Sequence, residues 1–85
     1  MHNFMNDFDK TLIEQDLKAF TFRNFEGPLE CKNSEQARFY VEELCQKIYE
    51  LEQRFNYVPS WAYALVAQYQ ARQKALIYVQ LKGTY

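Results

Sequence analysis

The stretch from residue 34 to residue 55 constrains the fold more than any other part of the chain. Its apolar residues recur at alternating spacings of four and three, the heptad repeat of a helix with one apolar stripe. The stripe consists of Ala37, Val41, Leu44, Ile48, Leu51 and Phe55, and Tyr40 and Cys45 widen it. Charged residues and glutamines cover the remaining surface. The pattern predicts a long amphipathic helix that buries its apolar face against another element.

Polar residues with the chemistry of helix ends stand on both sides of this stretch. Asn33 or Ser34 is suited to cap the start, and Gln36 follows Asn33 by three residues, as in a capping box. At the other end, residues 56–59 contain Asn and Pro and interrupt the periodicity, and Ser60 is predicted to cap the next helix. The two helices are therefore expected to form a long antiparallel αα-hairpin.

The second helix of this hairpin is predicted over about residues 60–82, with Gly83 as its stop. Trp61 to Ala67 is apolar on every side, which is usual for a helix at the centre of a larger core. Small residues also follow one another along it: Ala64, Ala67, Ala71 and Ala75. A chain of 85 residues has few helices with which to surround such a segment. We therefore expect a partner, and dimerisation through this helix into a four-helix-type bundle.

The N-terminal third completes a mainly α, three-helix domain that spans residues 1–85. Apolar residues at helical spacing, including Phe4, Phe8 and Leu17, predict a helix over about residues 6–20. A connector over residues 21–33 contains Gly27-Pro28, and a possible short β segment lies around residues 20–31. As an alternative, the strand formers in residues 75–82 could leave the last helix and pair with residues 20–25.

The composition argues against a disulfide scaffold, a metal site, a signal peptide and a membrane span. Cys31 and Cys45 are too few for a disulfide scaffold, so both are expected to be free thiols. The single histidine, His2, and the lack of a C-x-x-C motif argue against a metal site, and no cofactor is expected. The N-terminus lacks the apolar segment of a signal peptide, and no apolar run reaches the length of a membrane span. These observations predict a cytoplasmic protein.

A catalytic site is equally hard to assemble from these residues. A hydroxyl or thiol nucleophile needs a general base, and His2 is the only histidine in the chain. Ser34 and Ser60, the only serines, both stand at predicted helix starts and are better explained as caps. Glu43 and Glu50 share a helix face but have basic neighbours, as on an ordinary solvated surface. We therefore expect a protein that is not an enzyme.

The surface chemistry favours binding. The net charge is −1, yet residues 60–85 contain no acid and three bases, together with four glutamines. Some aromatic side chains near the start of the last helix must point outwards, since successive residues fan out around a helix. Tyrosine, tryptophan and arginine are also frequent interface anchors. The residues predicted to bind a partner are Tyr57, Trp61, Tyr63, Arg72 and Lys74.

The function expected from these observations is non-catalytic protein–protein interaction. A small regulator, adaptor or inhibitor of a larger protein fits the size and surface, in a form that could be a homodimer. The alternative is a dimeric nucleic-acid-binding regulator that uses the basic, glutamine-rich face of the last helix. It is less favoured, because Arg72, Lys74 and Lys82 would neutralise few phosphates and the isoelectric point is about 5.8.

Overall fold

Three α-helices account for most of the chain in the computed structural model, which describes residues 6–83. Helix α1 spans Asp7–Asn24, α2 spans Ser34–Phe55 and α3 spans Ser60–Lys82, and a short 3₁₀ turn at Pro28–Glu30 lies between α1 and α2. The mainly α, three-helix architecture predicted from the sequence is confirmed. The expectations that concerned His2 and Phe4 lie outside the described residues.

Helix α2 begins and ends at asparagines that satisfy its terminal backbone groups. The Asn33 side chain accepts a hydrogen bond from the Gln36 N–H at 2.7 Å, and Gln36 Oε1 accepts one from the Lys32 N–H at 2.7 Å. At the other end, Asn56 adopts a left-handed conformation with φ 52° and ψ 36°, and its N–H donates to the Glu52 carbonyl. This left-handed residue ends the helix and turns the chain towards α3.

Helices α2 and α3 pack against each other along their length as an antiparallel hairpin. The α2 stripe faces α3, and the buried residues shared by the two helices form most of the core: Ala37, Tyr40, Leu44, Ile48, Leu51, Ala62, Val66, Tyr69 and Leu76. At the open end of the hairpin, Ser34 Oγ donates a hydrogen bond to Gln80 Oε1 at 2.7 Å. This bond joins the first residue of α2 to the last turn of α3.

Two details of the predicted caps and core are corrected by the structure. Pro59, not Ser60, is the N-cap of α3, and it makes no side-chain capping hydrogen bond. Ser34 is the first residue of α2, and its hydroxyl bonds across to α3 while Asn33 provides the cap. Cys45 is exposed rather than part of the buried stripe, whereas Cys31 is buried, and both are free.

Helix α1 covers only the half of the hairpin that is nearest to the α2–α3 loop. Its Ile13 and Leu17 belong to the same buried cluster as the hairpin residues. Beyond the end of α1, the Phe25 ring stacks on Tyr40 of α2 at 4.6 Å between centroids and meets Tyr69 of α3 edge-on at 5.9 Å. The other half of the hairpin is contacted by the 3₁₀ turn, which lies against α3.

The predicted β segment around residues 20–31 is wrong. Residues 20–24 continue α1, and no strand occurs anywhere in residues 6–83. The alternation of Phe20 and Phe22 that suggested a strand has another cause. Phe20 packs at the core edge against Phe25, whereas Phe22 points into solvent. Residues 75–82 remain helical, because Leu76 is buried and Gln80 bonds to Ser34.

A matched pair of leucine substitutions tests this description of the core. Leu17 is 0% exposed and Leu29 is 79% exposed. We expect Leu17→Ala to lower the free energy of unfolding by about 2–5 kcal/mol, because it leaves a cavity between α1 and the hairpin. Leu29→Ala should change it by less than about 0.5 kcal/mol. Urea denaturation followed by circular dichroism measures both, and equal losses would contradict the packing of α1.

The left-handed residue at the end of α2 generates a second prediction. Asn56→Gly should leave stability nearly unchanged, because glycine adopts positive φ without a steric penalty. Asn56→Val should cost about 1–2 kcal/mol, because a β-branched side chain clashes in that conformation. The two urea midpoints should separate accordingly. A valine variant as stable as the glycine variant would show that the chain does not need a positive φ here.

Candidate protein-binding face

Helix α3 leaves one whole face exposed. The residues that point away from α1 and α2 follow one another at helical spacings of three and four. All of them are exposed: Tyr63, Ala64, Ala67, Gln70, Ala71, Lys74, Ala75 and Tyr78. We call this set the outer face of α3. Six of its eight residues are alanine or tyrosine, so a face directed at solvent is largely apolar. The expectation that α3 lies at the centre of a core fails for this side of the helix.

Shallow grooves lie on both sides of this face. One, with a volume of about 550 Å³, lies between α3 and the 3₁₀ turn, and Ala71, Ala75, Pro28 and Leu29 contribute to its walls. The other, of about 610 Å³, follows Ala67, Ala71 and Lys74 on the opposite side. Ala71 belongs to both grooves. Its small side chain therefore lies near the middle of the face, between the two grooves.

The charge on the outer face is positive. Lys74 is its one ionisable side chain other than the tyrosines, and residues 53–85 contain no acidic residue. Lys82 lies one turn beyond, with its ammonium 5.4 Å from the centroid of the Tyr78 ring. Within residues 6–83, the ion pair that forms joins Arg38 to Glu42 on α2 and leaves the outer face of α3 untouched.

Two of the five residues predicted to bind a partner make intramolecular contacts with α1. Tyr57 is half-buried, its hydroxyl donates to Glu14 Oε2 at 2.8 Å, and the Lys10 ammonium lies 5.4 Å from its ring centroid. The hydrogen bond to Glu14, followed by burial, raises the pKa of Tyr57 above its usual value. Trp61 is also half-buried, with Lys18 5.7 Å from its ring centroid. The two aromatic rings therefore attach α1 to the α2–α3 loop and to the first turn of α3.

Arg72 makes a further internal contact. Its side chain is half-buried, and Nη2 donates to the Cys31 carbonyl at 3.1 Å, which holds the connector against α3. Burial raises the pKa of the adjacent Cys31 thiol, and the Arg72 charge partly opposes this effect. Of the predicted set, Tyr63 and Lys74 belong to the outer face of α3. Partner binding by all five residues stays a prediction.

A second uncovered face lies on α1, and the sequence reasoning missed it. Phe8, Leu12, Gln15, Ala19 and Phe22 are spaced four, three, four and three residues apart, on the side opposite the buried Ile13 and Leu17. We call this set the outer face of α1. Phe8 is 69%, Leu12 47% and Phe22 88% exposed. The spacing was visible in the sequence, but an apolar stripe does not by itself say whether it faces the core or solvent.

Metal ligands and membrane-spanning segments are both missing from residues 6–83. No group of three or more His, Cys, Asp or Glu residues in this range is arranged to hold a metal ion. No helix in the same range has both the length and the apolar character to cross a bilayer.

The buried end of the aromatic cluster allows a test by pH. The Tyr69 hydroxyl donates to the Glu26 carbonyl, and burial raises the pKa of Tyr69 to about 12. In the unfolded chain this phenol ionises at its ordinary value of 10.0, so the unfolded state loses a proton that the folded state keeps. Stability should therefore be fully present below pH 10.0 and fall as the pH rises towards about 12.

Urea denaturation at a series of alkaline pH values measures this dependence. Tyr69→Phe should show a shallower fall than the wild type over that range, because it lacks the buried hydroxyl. Tyr49→Phe, which removes an exposed hydroxyl from α2, is the control and should follow the wild type. Parallel curves for Tyr69→Phe and wild type would contradict the assignment of this pH dependence to Tyr69.

No known protein family, curated protein or solved structure matched the chain in the three comparisons made. The functional argument therefore depends on the exposure, shape and charge of the two outer faces.

Proposed function

We propose that this protein is a non-catalytic protein-binding module, a small regulator, adaptor or inhibitor, and that the outer face of α3 binds an amphipathic helix with acidic flanks from a larger protein. The observation that carries the proposal is the continuous, largely apolar and acid-free exposed face from Tyr63 to Tyr78. Amphipathic helices bind other proteins by laying an apolar face into a groove of this kind.

The amount of exposed surface supports a partner. A globular chain of this length has a radius of gyration of about 12 Å, whereas this one has 15.4 Å. Its accessible surface is 6347 Å², compared with about 5,400 Å² for a typical monomer of the same mass. The molecule is therefore more elongated than a globular monomer of its mass, and a larger share of its side chains faces outwards.

The residue types on the face favour a helix as the bound element. Alanines at positions 64, 67, 71 and 75 allow a second helix to approach the α3 backbone closely. The grooves on either side of Ala71 provide space for larger side chains of that helix. Tyr63 and Tyr78 stand at the two ends of the face, where their rings can act as anchors.

Charge favours an acidic partner. Lys74 lies in the middle of the face, Lys82 lies beyond its end, and no carboxylate occurs on α3. A helix with glutamate or aspartate on its flanks would meet complementary charges, whereas a basic helix would be repelled. Electrostatic complementarity of this kind contributes mainly to the rate of association and to discrimination between partners.

The nucleic-acid alternative has less support. Arg72, one of the three bases on which it depended, donates a hydrogen bond to the Cys31 carbonyl and is half-buried. Lys74 and Lys82 remain, and two phosphate contacts from each copy of a dimer, four in all, would give weak binding with a shallow dependence on salt. Retention on heparin that persists at physiological salt would favour the alternative over the protein-binding module.

The test is a pair of arginine substitutions on opposite surfaces. Ala71→Arg places a long charged side chain at the centre of the outer face of α3, and Gln46→Arg adds the same side chain to the exposed surface of α2. Affinity purification from lysate of the source organism identifies a binding protein, which is then purified. Its affinity for each variant is measured by calorimetry.

We expect Ala71→Arg to weaken binding about tenfold or more, since an interfacial arginine at an alanine site prevents close approach of the helices. Gln46→Arg should bind like the wild type. Lys74→Glu should weaken binding more at low salt than at high salt, because salt screens the repulsion between the new carboxylate and the acidic partner. A binding protein that retains full affinity for Ala71→Arg would refute the assignment of this face.

A further inference from the structure

The outer face of α1 has the character of an interface that lacks its partner. Its three largest side chains, Phe8, Leu12 and Phe22, are exposed at heptad spacing. Burying these side chains would remove a large apolar area from water. Exposed apolar patches of this extent on small proteins usually mark binding sites. The question is which surface covers them.

The outer face of α3 matches it in length and spacing. Read from Tyr78 backwards, positions 78, 74, 71, 67 and 64 are separated by four, three, four and three residues, as are positions 8, 12, 15, 19 and 22. Each series covers fifteen residues of helix, a length of about 21 Å. When the two series are aligned in this order, Phe22 lies opposite Ala64, a large side chain against a small one. At the other end, Phe8 lies opposite Tyr78 and Leu12 lies level with the aliphatic part of Lys74.

Charge selects the antiparallel direction. When Phe8 lies opposite Tyr78 and Phe22 opposite Ala64, Lys74 comes level with Leu12, between the exposed carboxylates of Asp9 and Asp16. If the same two segments ran parallel, with Phe8 level with Ala64 and Phe22 level with Tyr78, Lys74 would come level with the exposed Lys18. The first arrangement pairs opposite charges and the second brings like charges together, so the antiparallel arrangement is favoured.

The direction of the helices also allows a closed assembly. Within one chain α1 runs parallel to α3, since Lys18 contacts Trp61 near the start of α3 while Phe25, just past α1, contacts Tyr69 further along. A two-fold axis perpendicular to both helices therefore makes α1 antiparallel to α3 of the second copy, and the reverse contact is identical. Symmetric pairs of this kind close as dimers rather than growing into filaments.

We propose that the outer face of α1 docks antiparallel on the outer face of α3 of a second copy, in a reciprocal homodimer that covers the partner-binding face. This inference rests on the proposed function, because it takes the outer face of α3 to be a helix-binding site. In the dimer, α1 occupies the position of the partner's acidic amphipathic helix. Dissociation of the dimer would then be needed before the partner protein binds, so self-association regulates access to α3.

The test compares two exposed phenylalanines by light scattering over a wide range of concentrations. Phe22 is on the outer face of α1, and Phe39 is an exposed residue of α2 outside both outer faces. The wild type and Phe39→Asp should have the mass of two chains. Phe22→Asp should have a dimer dissociation constant about a hundredfold higher, because a carboxylate replaces a ring in an apolar contact. Circular dichroism checks that both variants remain folded.

Charge reversal tests the register separately. Lys74→Glu should weaken the dimer, because it faces Asp9 and Asp16. The double variant Asp16→Lys/Lys74→Glu should recover part of the lost affinity, because positions 16 and 74 again carry opposite charges while Asp9 still repels the new carboxylate. Recovery is not expected if α3 pairs with α3 of the second copy. A monomeric wild type, a Phe22→Asp variant that stays dimeric, or a double variant without recovery would each overturn the proposed dimer.

The partner protein distinguishes this proposal from the function on which it rests. Monomeric Phe22→Asp should bind the partner with higher apparent affinity than the wild type, because no competing α1 covers α3. If the wild type is monomeric while Ala71→Arg still loses the partner, the dimer is refuted and the binding function stands. If Ala71→Arg dissociates the dimer but keeps full affinity for the partner, the proposed function fails and self-association stands.

Discussion

The packing of α2 against α3 is the contact on which the other features of the molecule depend. The buried stripe of α2 supplies most of the core, and the Ser34–Gln80 hydrogen bond joins the open end of the hairpin. Two helices of this length can bury only one face of each. The hairpin therefore keeps a broad exposed surface unless further elements cover it, and an 85-residue chain has only one more long helix to contribute.

The placement of α1 decides which surface remains. Tyr57, Trp61 and the ring cluster around Phe25 hold α1 against the loop end of the hairpin, so its apolar residues Ile13 and Leu17 complete the core there. The outer face of α3 is left open as a result. Aromatic side chains that could have served an external partner are thus partly used for internal packing. The binding proposed for α3 depends on alanines, tyrosines and a lysine, on a helix that contains no acidic residue.

The two outer faces have a common origin. Both α1 and α3 have apolar residues at heptad spacing on the inner and on the outer side, so burial of one side leaves an apolar stripe on the other. On α1 the outer stripe is made of large residues near acids, and on α3 it is made of small residues near lysines. This complementarity links the binding function proposed for α3 to the self-association proposed through α1, since both would use the same surface of α3.

The sequence alone determined the helices of the hairpin, because heptad periodicity, an asparagine cap and a helix-breaking loop are local signals that agree with one another. Its composition also predicts a protein that is not an enzyme, and this stays a prediction. It could not determine that residues 20–24 stay helical, since the alternation of Phe20 and Phe22 fits a strand until Phe20 meets Phe25. Nor could it say which side chains of the predicted site remain available to a partner. Tyr57, Trp61 and Arg72 have the chemistry of interface anchors, yet their partners are Glu14, Lys18 and the Cys31 carbonyl, which are distant in the sequence. Periodicity reports that a helix has apolar faces, but only tertiary packing decides which of them is covered, because burial depends on how the helices are arranged in space.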